Sequence, residues 1–121
     1  VRILLVEDQR EIRTMLRVGM RRHAELEVVG EAESLAAALS LAEQVEPQTI
    51  ILDLQLPDAT PRQAYTTIRA GAPDSTIVVF SARESDRNWY EQRGTRFFGK
   101  GSDPVDQLVE WLCALAAPSQ P

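Results

Sequence analysis

Glu7 and Asp8, Asp53, Ser81 and Lys100 each stand just past a short apolar run: Ile3-Leu4-Leu5-Val6, Thr49-Ile50-Ile51-Leu52, Ile77-Val78-Val79-Phe80 and Phe97-Phe98. Three carboxylates, a hydroxyl and an ammonium in one crevice make a site for a divalent cation and a phosphoryl group. Carboxylates this close repel, so Glu7, Asp8 and Asp53 together require a cation or a captured proton. Oxygen ligands with room for waters suit magnesium, which binds through one or two carboxylates plus phosphate oxygens. Lys100 is suited to pair with a carboxylate at rest and with a phosphate oxygen afterwards, and Ser81 to donate a hydrogen bond to another oxygen. Asp53 is best placed as nucleophile, forming an acyl phosphate. Taken singly, each residue has a plainer reading, since acids at strand ends are common helix caps. All five groups nevertheless fall at the same ends of four runs, which unrelated caps would rarely do.

To gather these groups, the apolar runs must be parallel strands of one sheet, whose carboxyl edge is where open α/β sheets bind ligands. Strand and helix patterns alternate five times along the chain. Ile3–Val6 is followed by a helix over about Gln9–Arg22, with Ile12, Met15, Leu16, Gly19 and Met20 on one face. Arg21, Arg22 and His23 suit the negative end of that helix dipole, which is the reading given to the only histidine. Glu27–Glu31 reads as a weaker second strand, and Ser34 as the cap of a helix burying Leu35, Ala38, Leu39 and Ala42 before Pro47. The third strand runs from Thr49 to Leu54. Thr60, Pro61 and Gln63 then supply an N-cap, a first-turn proline and the second half of a capping box for a helix reaching about Arg69. Thr76–Phe80 is the fourth strand, Glu84–Gln92 a short polar helix and Arg96–Phe98 the fifth strand. A last helix opens at Asp103-Pro104 with Val105, Leu108, Leu112 and Leu115 inward. Strands one, three and four are continuous apolar runs, as expected when helices cover both faces. Right-handed crossovers then give a doubly wound α/β sandwich with a parallel (βα)5 sheet; its most economical strand order is 2-1-3-4-5, in which Asp8 and Asp53 meet where the order reverses. Residues 1–117 form one domain, and 118–121 a tail or the start of a linker.

Composition narrows the functional classes. The 121 residues, 44% hydrophobic, suffice for one core and not for two. A net charge of -5 argues against direct nucleic-acid binding, which depends on neutralising phosphates with Lys and Arg. The single cysteine, Cys113, excludes an intrachain disulfide and is read as a small apolar filler on the last helix. No apolar run has the length of a membrane span and no signal segment precedes the first strand, so a cytoplasmic location without membrane contact is expected.

The stretches Leu4–Gln9 (LLVEDQ), Leu52–Asp58 (LDLQLPD), Val78–Ala82 (VVFSA) and Phe97–Lys100 (FFGK) together resemble the response-regulator receiver domain, the phosphoacceptor module of bacterial two-component signalling. The resemblance covers about Arg2–Ala117 and implies a flavodoxin-like fold. It implies that Asp53 is phosphorylated by a histidine kinase or phosphotransfer protein, that Asp8 binds Mg2+ directly and Glu7 mainly through a water, and that the backbone carbonyl of Gln55 is a further ligand. Ser81 and Lys100 match the hydroxyl and lysine that hold the phosphoryl group, Ala82 keeps the neighbouring position small, and Phe97 matches the aromatic switch residue that turns inward when Ser81 moves. Such a domain is a regulatory phosphoacceptor rather than an enzyme, and controls an output domain or partner. Trp89 and Tyr90 are expected on a partner-binding face and Trp111 either there or in the core, with phosphorylation-enhanced homodimerisation or partner docking through that face. Pro61 stands where the family usually has Gly, Gly101 follows the lysine in place of Pro, and Arg93-Gly94 replaces a more typical Gly-Ala. Other readings are a receiver-like interaction module that never uses phosphate, an aspartate-nucleophile phosphohydrolase and a flavin binder. The complete acidic pocket opposes the first, Gln55 in place of a second Asp the next, and phosphate repulsion by Glu7-Asp8 the last.

Overall fold

The structure, a computed structural model, describes residues 1–117; the expected tail over 118–121 lies outside them. The elements run β1 (Arg2–Val6), α1 (Arg10–Arg21), β2 (Glu27–Ala32), α2 (Leu35–Val45), β3 (Thr49–Leu52), α3 (Pro61–Gly71), β4 (Thr76–Ser81), α4 (Arg87–Glu91), β5 (Arg96–Gly99) and α5 (Val105–Ala116). All five strands pair in parallel, in the order β2-β1-β3-β4-β5. Strand three ends at Leu52, two residues earlier than its pattern predicts, because the chain turns at Asp53. The expected helix over Glu84–Gln92 is a single 3-10 turn, Glu84–Asp86, followed by the five-residue α4.

Period-two alternation divides the strands between two cores. Ile3, Leu5, Ile51, Val78, Phe80 and Phe98 pack with Leu16 and Met20 of α1 and with Leu108, Val109 and Leu112 of α5. Leu4, Val6, Ile50, Leu52, Ile77, Val79 and Phe97 face Ala38 of α2, Ala64, Tyr65 and Ile68 of α3, and Tyr90 of α4. Met15 and Leu115, expected inward, are instead exposed, because each helix seals the core with a narrower stripe than its apolar pattern offers. Among the described residues no helix is long and apolar enough to cross a membrane.

Helix starts at the carboxyl edge are tightly tied. Thr60 and Gln63 form the expected capping box of α3, with Pro61 in its first turn. At α2, Ser34 Oγ accepts from Ala37 N at 3.1 Å, and Asp58, in the loop after β3, accepts from Leu35 N at 2.8 Å and Ala36 N at 3.0 Å. Three N–H groups that a helix end leaves without partners are thus satisfied, two of them by a residue 23 and 22 positions away.

Candidate functional site

The parallel register brings Val6, Leu52, Val79 and Phe97 to successive strands, so the residues just beyond them collect at one edge. Glu7 leaves β1, its N–H donating to Ala32 O at 2.9 Å, and Asp53 leaves β3, its N–H donating to Val6 O at 2.8 Å. Both are buried, at 2% exposure each, whereas Asp8 is exposed and opens the cluster to solvent. One carboxylate oxygen from each of the three lies within 4.8 Å of the others.

Lys100 Nζ sits between two of these acids, 2.6 Å from Glu7 Oε1 and 3.3 Å from Asp53 Oδ2. Its backbone is fixed by donation from Lys100 N to Ser81 O at 2.9 Å. Ser81 is wholly buried, and its Oγ accepts from Arg83 N at 3.1 Å, a contact that leaves the hydroxyl proton available. Asp53 Oδ1 accepts from Gln55 N at 3.1 Å, which holds the carboxylate in a turn. Gln55 and Arg83 are both exposed, and the Arg83 guanidinium pairs with Asp86 at 3.1 Å.

Burial pushes the Glu7 carboxyl up to about 7, the Lys100 ammonium opposes that rise, and the Asp53 carboxylate adds to it. Apart from the Lys100 ion pair, Glu7 Oε1 has no hydrogen-bond partner among the described residues. One ammonium thus serves two buried acids while an exposed third stands beside them, and a buried oxygen is left under-satisfied. That donor set, all oxygen and open on the Asp8 side, fits a hard divalent cation such as Mg2+.

All five acidic, hydroxyl and basic groups singled out in the sequence therefore meet at one edge. Phe97, buried in β5, packs against Tyr90 at a ring separation of 6.1 Å and lies beneath the Arg87 guanidinium at 4.9 Å. The expected aromatic face is corrected in one respect. Tyr90 is fully buried, because Tyr65 and Trp89 close over it at 5.2 and 4.8 Å. Trp89 and Trp111 are half-buried, Trp89 between the guanidinium groups of Arg62 and Arg93 and Trp111 against Phe98.

Sequence reasoning missed three residues that hold the site. Arg13 donates to the Glu7 carbonyl at 2.7 Å. Asp58 ties the loop after Asp53 to α2. Arg87 donates to Phe97 O at 3.1 Å, Glu84 at 3.0 Å and Asp103 at 2.6 Å, joining α4, β5 and the start of α5. Gly99 lies within this junction, where a Cβ would come within 2.6 Å of Ser102 Oγ. Only Asp58 had a local signal, Pro57 before it marking a turn, but its partners lie on another element.

A family model described as "Response regulator receiver domain" matches residues 3–99. The nitrate/nitrite response regulator protein NarL of Escherichia coli (strain K12) is 31% identical over 109 residues, covering 88% of this chain and 50% of the relative. The chain spans about half the length of the first curated relatives it matches. Among solved structures, a two-component response regulator of the LuxR family from Aurantimonas sp. SI85-9A1 superposes with a TM-score of 0.82 at 25% identity, over 95% of this chain and 84% of that one. Response regulator protein TrrA from Thermotoga maritima, solved in complex with Mg2+-BeF, gives a TM-score of 0.80 at 25% identity, over 94% and 97%.

Proposed function

This chain belongs to the response-regulator receiver domain family of two-component signalling, and within it we propose that the chain is a magnesium-dependent switch phosphorylated on Asp53. The observation that carries the reading is the sharing of Lys100 between Glu7 and Asp53, with Asp8 and the Ser81 hydroxyl at the same edge. Glu7, Asp8, Asp53 and the backbone carbonyl of Gln55 would hold Mg2+, which would supply the positive charge that lets a phosphoryl group approach three acids.

A phosphohistidine of a sensor kinase or phosphotransfer protein is the proposed donor. An Asp53 carboxylate oxygen attacks phosphorus, the P–N bond breaks, and the imidazole leaves with the bonding electron pair and takes up a proton. Gln55 N–H holds the carboxylate in place. Lys100, already 3.3 Å from Asp53, exchanges a carboxylate partner for a phosphoryl oxygen. Ser81 donates its hydroxyl proton to another. Phe97 follows Ser81, and the change passes to an output domain or partner, a second copy of this chain in a phosphorylation-enhanced homodimer included. Residues 1–117 are the receiver domain in this reading, which acts in the cytoplasm as a regulatory phosphoacceptor.

Incubation with acetyl phosphate and Mg2+ tests the assignment. One hydroxylamine-labile phosphoryl group per chain is expected, absent from Asp53→Asn and from the unmodified protein in excess chelator. Labelling that persists in Asp53→Asn overturns the acceptor. Absence of labelling in the unmodified chain favours a phosphorylation-independent interaction module.

A further inference from the structure

The chain's only histidine and only cysteine are 90 positions apart in sequence, yet they meet at the amino edge of the sheet, the end opposite Asp53. His23 lies in the turn after α1, fixed by its N–H donating to Met20 O and its carbonyl accepting from Leu26 N, each at 3.0 Å. Glu25 follows in the same turn. Cys113 comes from α5, one helical turn beyond Val109 on the same face. α5 packs directly on α1 here: Gly19 of α1 faces Val109 and Val105, at 3.7 and 3.9 Å from where a Cβ would stand, an ordinary packing distance. The close packing of α1 and α5 therefore delivers the thiol to the imidazole and carboxylate.

We propose that His23, Glu25 and Cys113 form a second metal site, for a borderline-soft divalent cation such as Zn2+. One nitrogen, one oxygen and one sulfur atom of these side chains all lie within 4.8 Å of one another. Drawing each inward by less than about 1 Å reaches ordinary zinc bond lengths of about 2.0–2.3 Å. The imidazole Nδ1 and the Glu25 Oε1 stand 4.0 Å apart, too far for a hydrogen bond, so they face each other with a gap between them. Burial first, and then the Glu25 and Glu110 carboxylates, push the Cys113 thiol above its ordinary value, and a cation bound beside it would oppose all three. All three side chains are half-buried or exposed, which admits an ion from solution and leaves a fourth position for water. The nitrogen–oxygen–sulfur set separates this site from the all-oxygen Glu7-Asp8-Asp53 cluster: thiolate and imidazole select zinc or cobalt, carboxylates alone select magnesium. Bound metal ties the α1–β2 turn to α5 and stabilises the folded chain by mass action.

Titration of the chain with Co2+ in excess Mg2+ tests the site, the Mg2+ occupying the oxygen cluster. One equivalent of Co2+ with a thiolate-to-metal charge-transfer band is expected, displaced by Zn2+, and Zn2+ should raise Tm. Cys113→Ser should abolish the band, and His23→Gln should weaken Co2+ binding by about tenfold or more. Asp8→Ala should leave both unchanged. Absence of the band in the unmodified chain, unchanged affinity in His23→Gln, or Co2+ binding that vanishes with Asp8→Ala overturns the site, the last by placing the ion at the acidic pocket.

Discussion

A buried carboxylate beside a second carboxylate, answered by one shared ammonium, is an unfavourable arrangement until a cation arrives. Glu7 is that carboxylate. Its folded-state value of about 7 lies above the ordinary 4.5, so the folded protein binds its proton more tightly than the unfolded chain does. The metal-free protein should therefore lose stability as the pH rises from 4.5 to about 7, and carry the full penalty above that range. Glu7→Gln should flatten this dependence and stabilise the metal-free chain by about 1–3 kcal/mol above neutral pH. The same substitution should reduce stabilisation by Mg2+. Urea unfolding in chelator and in Mg2+ measures both effects, and a variant less stable than its parent in chelator would mean that the Lys100 pair outweighs the burial. Tyr90 presents the neutral counterpart, a fully buried phenol whose hydroxyl has no hydrogen-bond partner among the described residues. Tyr90→Phe removes that unsatisfied group and keeps the ring against Tyr65 and Phe97. Its expected effect is a gain of roughly 0–1 kcal/mol. A loss of more than about 1 kcal/mol by thermal or urea unfolding would count against the hydroxyl's being unpaired.

Between elements, the loop after Asp53 and the start of α2 are joined by Asp58, whose carboxylate accepts from two helix N–H groups. Those donors, Leu35 and then Ala36, hold the carboxyl below its ordinary 3.8. A lowered value means stability present above 3.8 and lost as the pH falls through the folded-state value. Asp58→Ala should lower Tm by a few degrees at neutral pH. The gap between variant and parent should close in acid, so a gap that does not narrow as the pH falls below 3.8 would exclude the carboxylate as its source. This tie also shows where sequence reading stops. The capping box at Thr60 was legible because Thr60, Pro61 and Gln63 fall within four consecutive positions, and the apolar runs ending at Val6, Leu52 and Phe80 were legible because burial on both faces leaves no polar alternation. Met15, Leu115 and Tyr90 were misplaced because local periodicity names an apolar stripe without the partner that covers it. Tyr90 sits in a polar stretch and is buried by Tyr65 from another helix. The strand-end acids, Ser81 and Lys100 could be brought to one edge because parallel topology does so for any residue just past a strand. The Asp58 cap, the Arg87 junction and the meeting of His23 with Cys113 depend on loop paths and helix packing that carry no local signal.

For the whole molecule, an event at Asp53 reaches a distant surface only if it favours one of two arrangements the chain already visits. The described contacts supply a continuous connection. The Ser81 hydroxyl accepts from Arg83 N and its backbone carbonyl from Lys100 N, so this residue is bonded both to the β4–α4 loop and to the end of β5. Arg87 sits where these meet, bonded to Glu84, Phe97 O and Asp103 and stacked over the Phe97 ring. The Phe97 neighbour Tyr90 touches Trp89, and Trp111 packs on β5 through Phe98, so two tryptophans report on the region. Beryllofluoride with Mg2+ should therefore alter tryptophan fluorescence, mostly through Trp89, and Trp89→Phe should remove most of the change. Arg87→Ala should leave acetyl-phosphate labelling of Asp53 intact, since Arg87 bonds none of the acidic residues, Ser81 or Lys100 of the pocket. It should also cost about 1.5–3 kcal/mol of stability for lost charged hydrogen bonds. With the junction cut, the arrangements on either side no longer change together, and the fluorescence response should shrink at saturating beryllofluoride. Any phosphorylation-enhanced dimer, followed by sedimentation, should weaken in parallel. A full response in Arg87→Ala would route the signal through Ser81 and Phe97 alone, without the polar junction. No response in the unmodified chain, with Asp53 demonstrably occupied, would remove this face from the switch altogether.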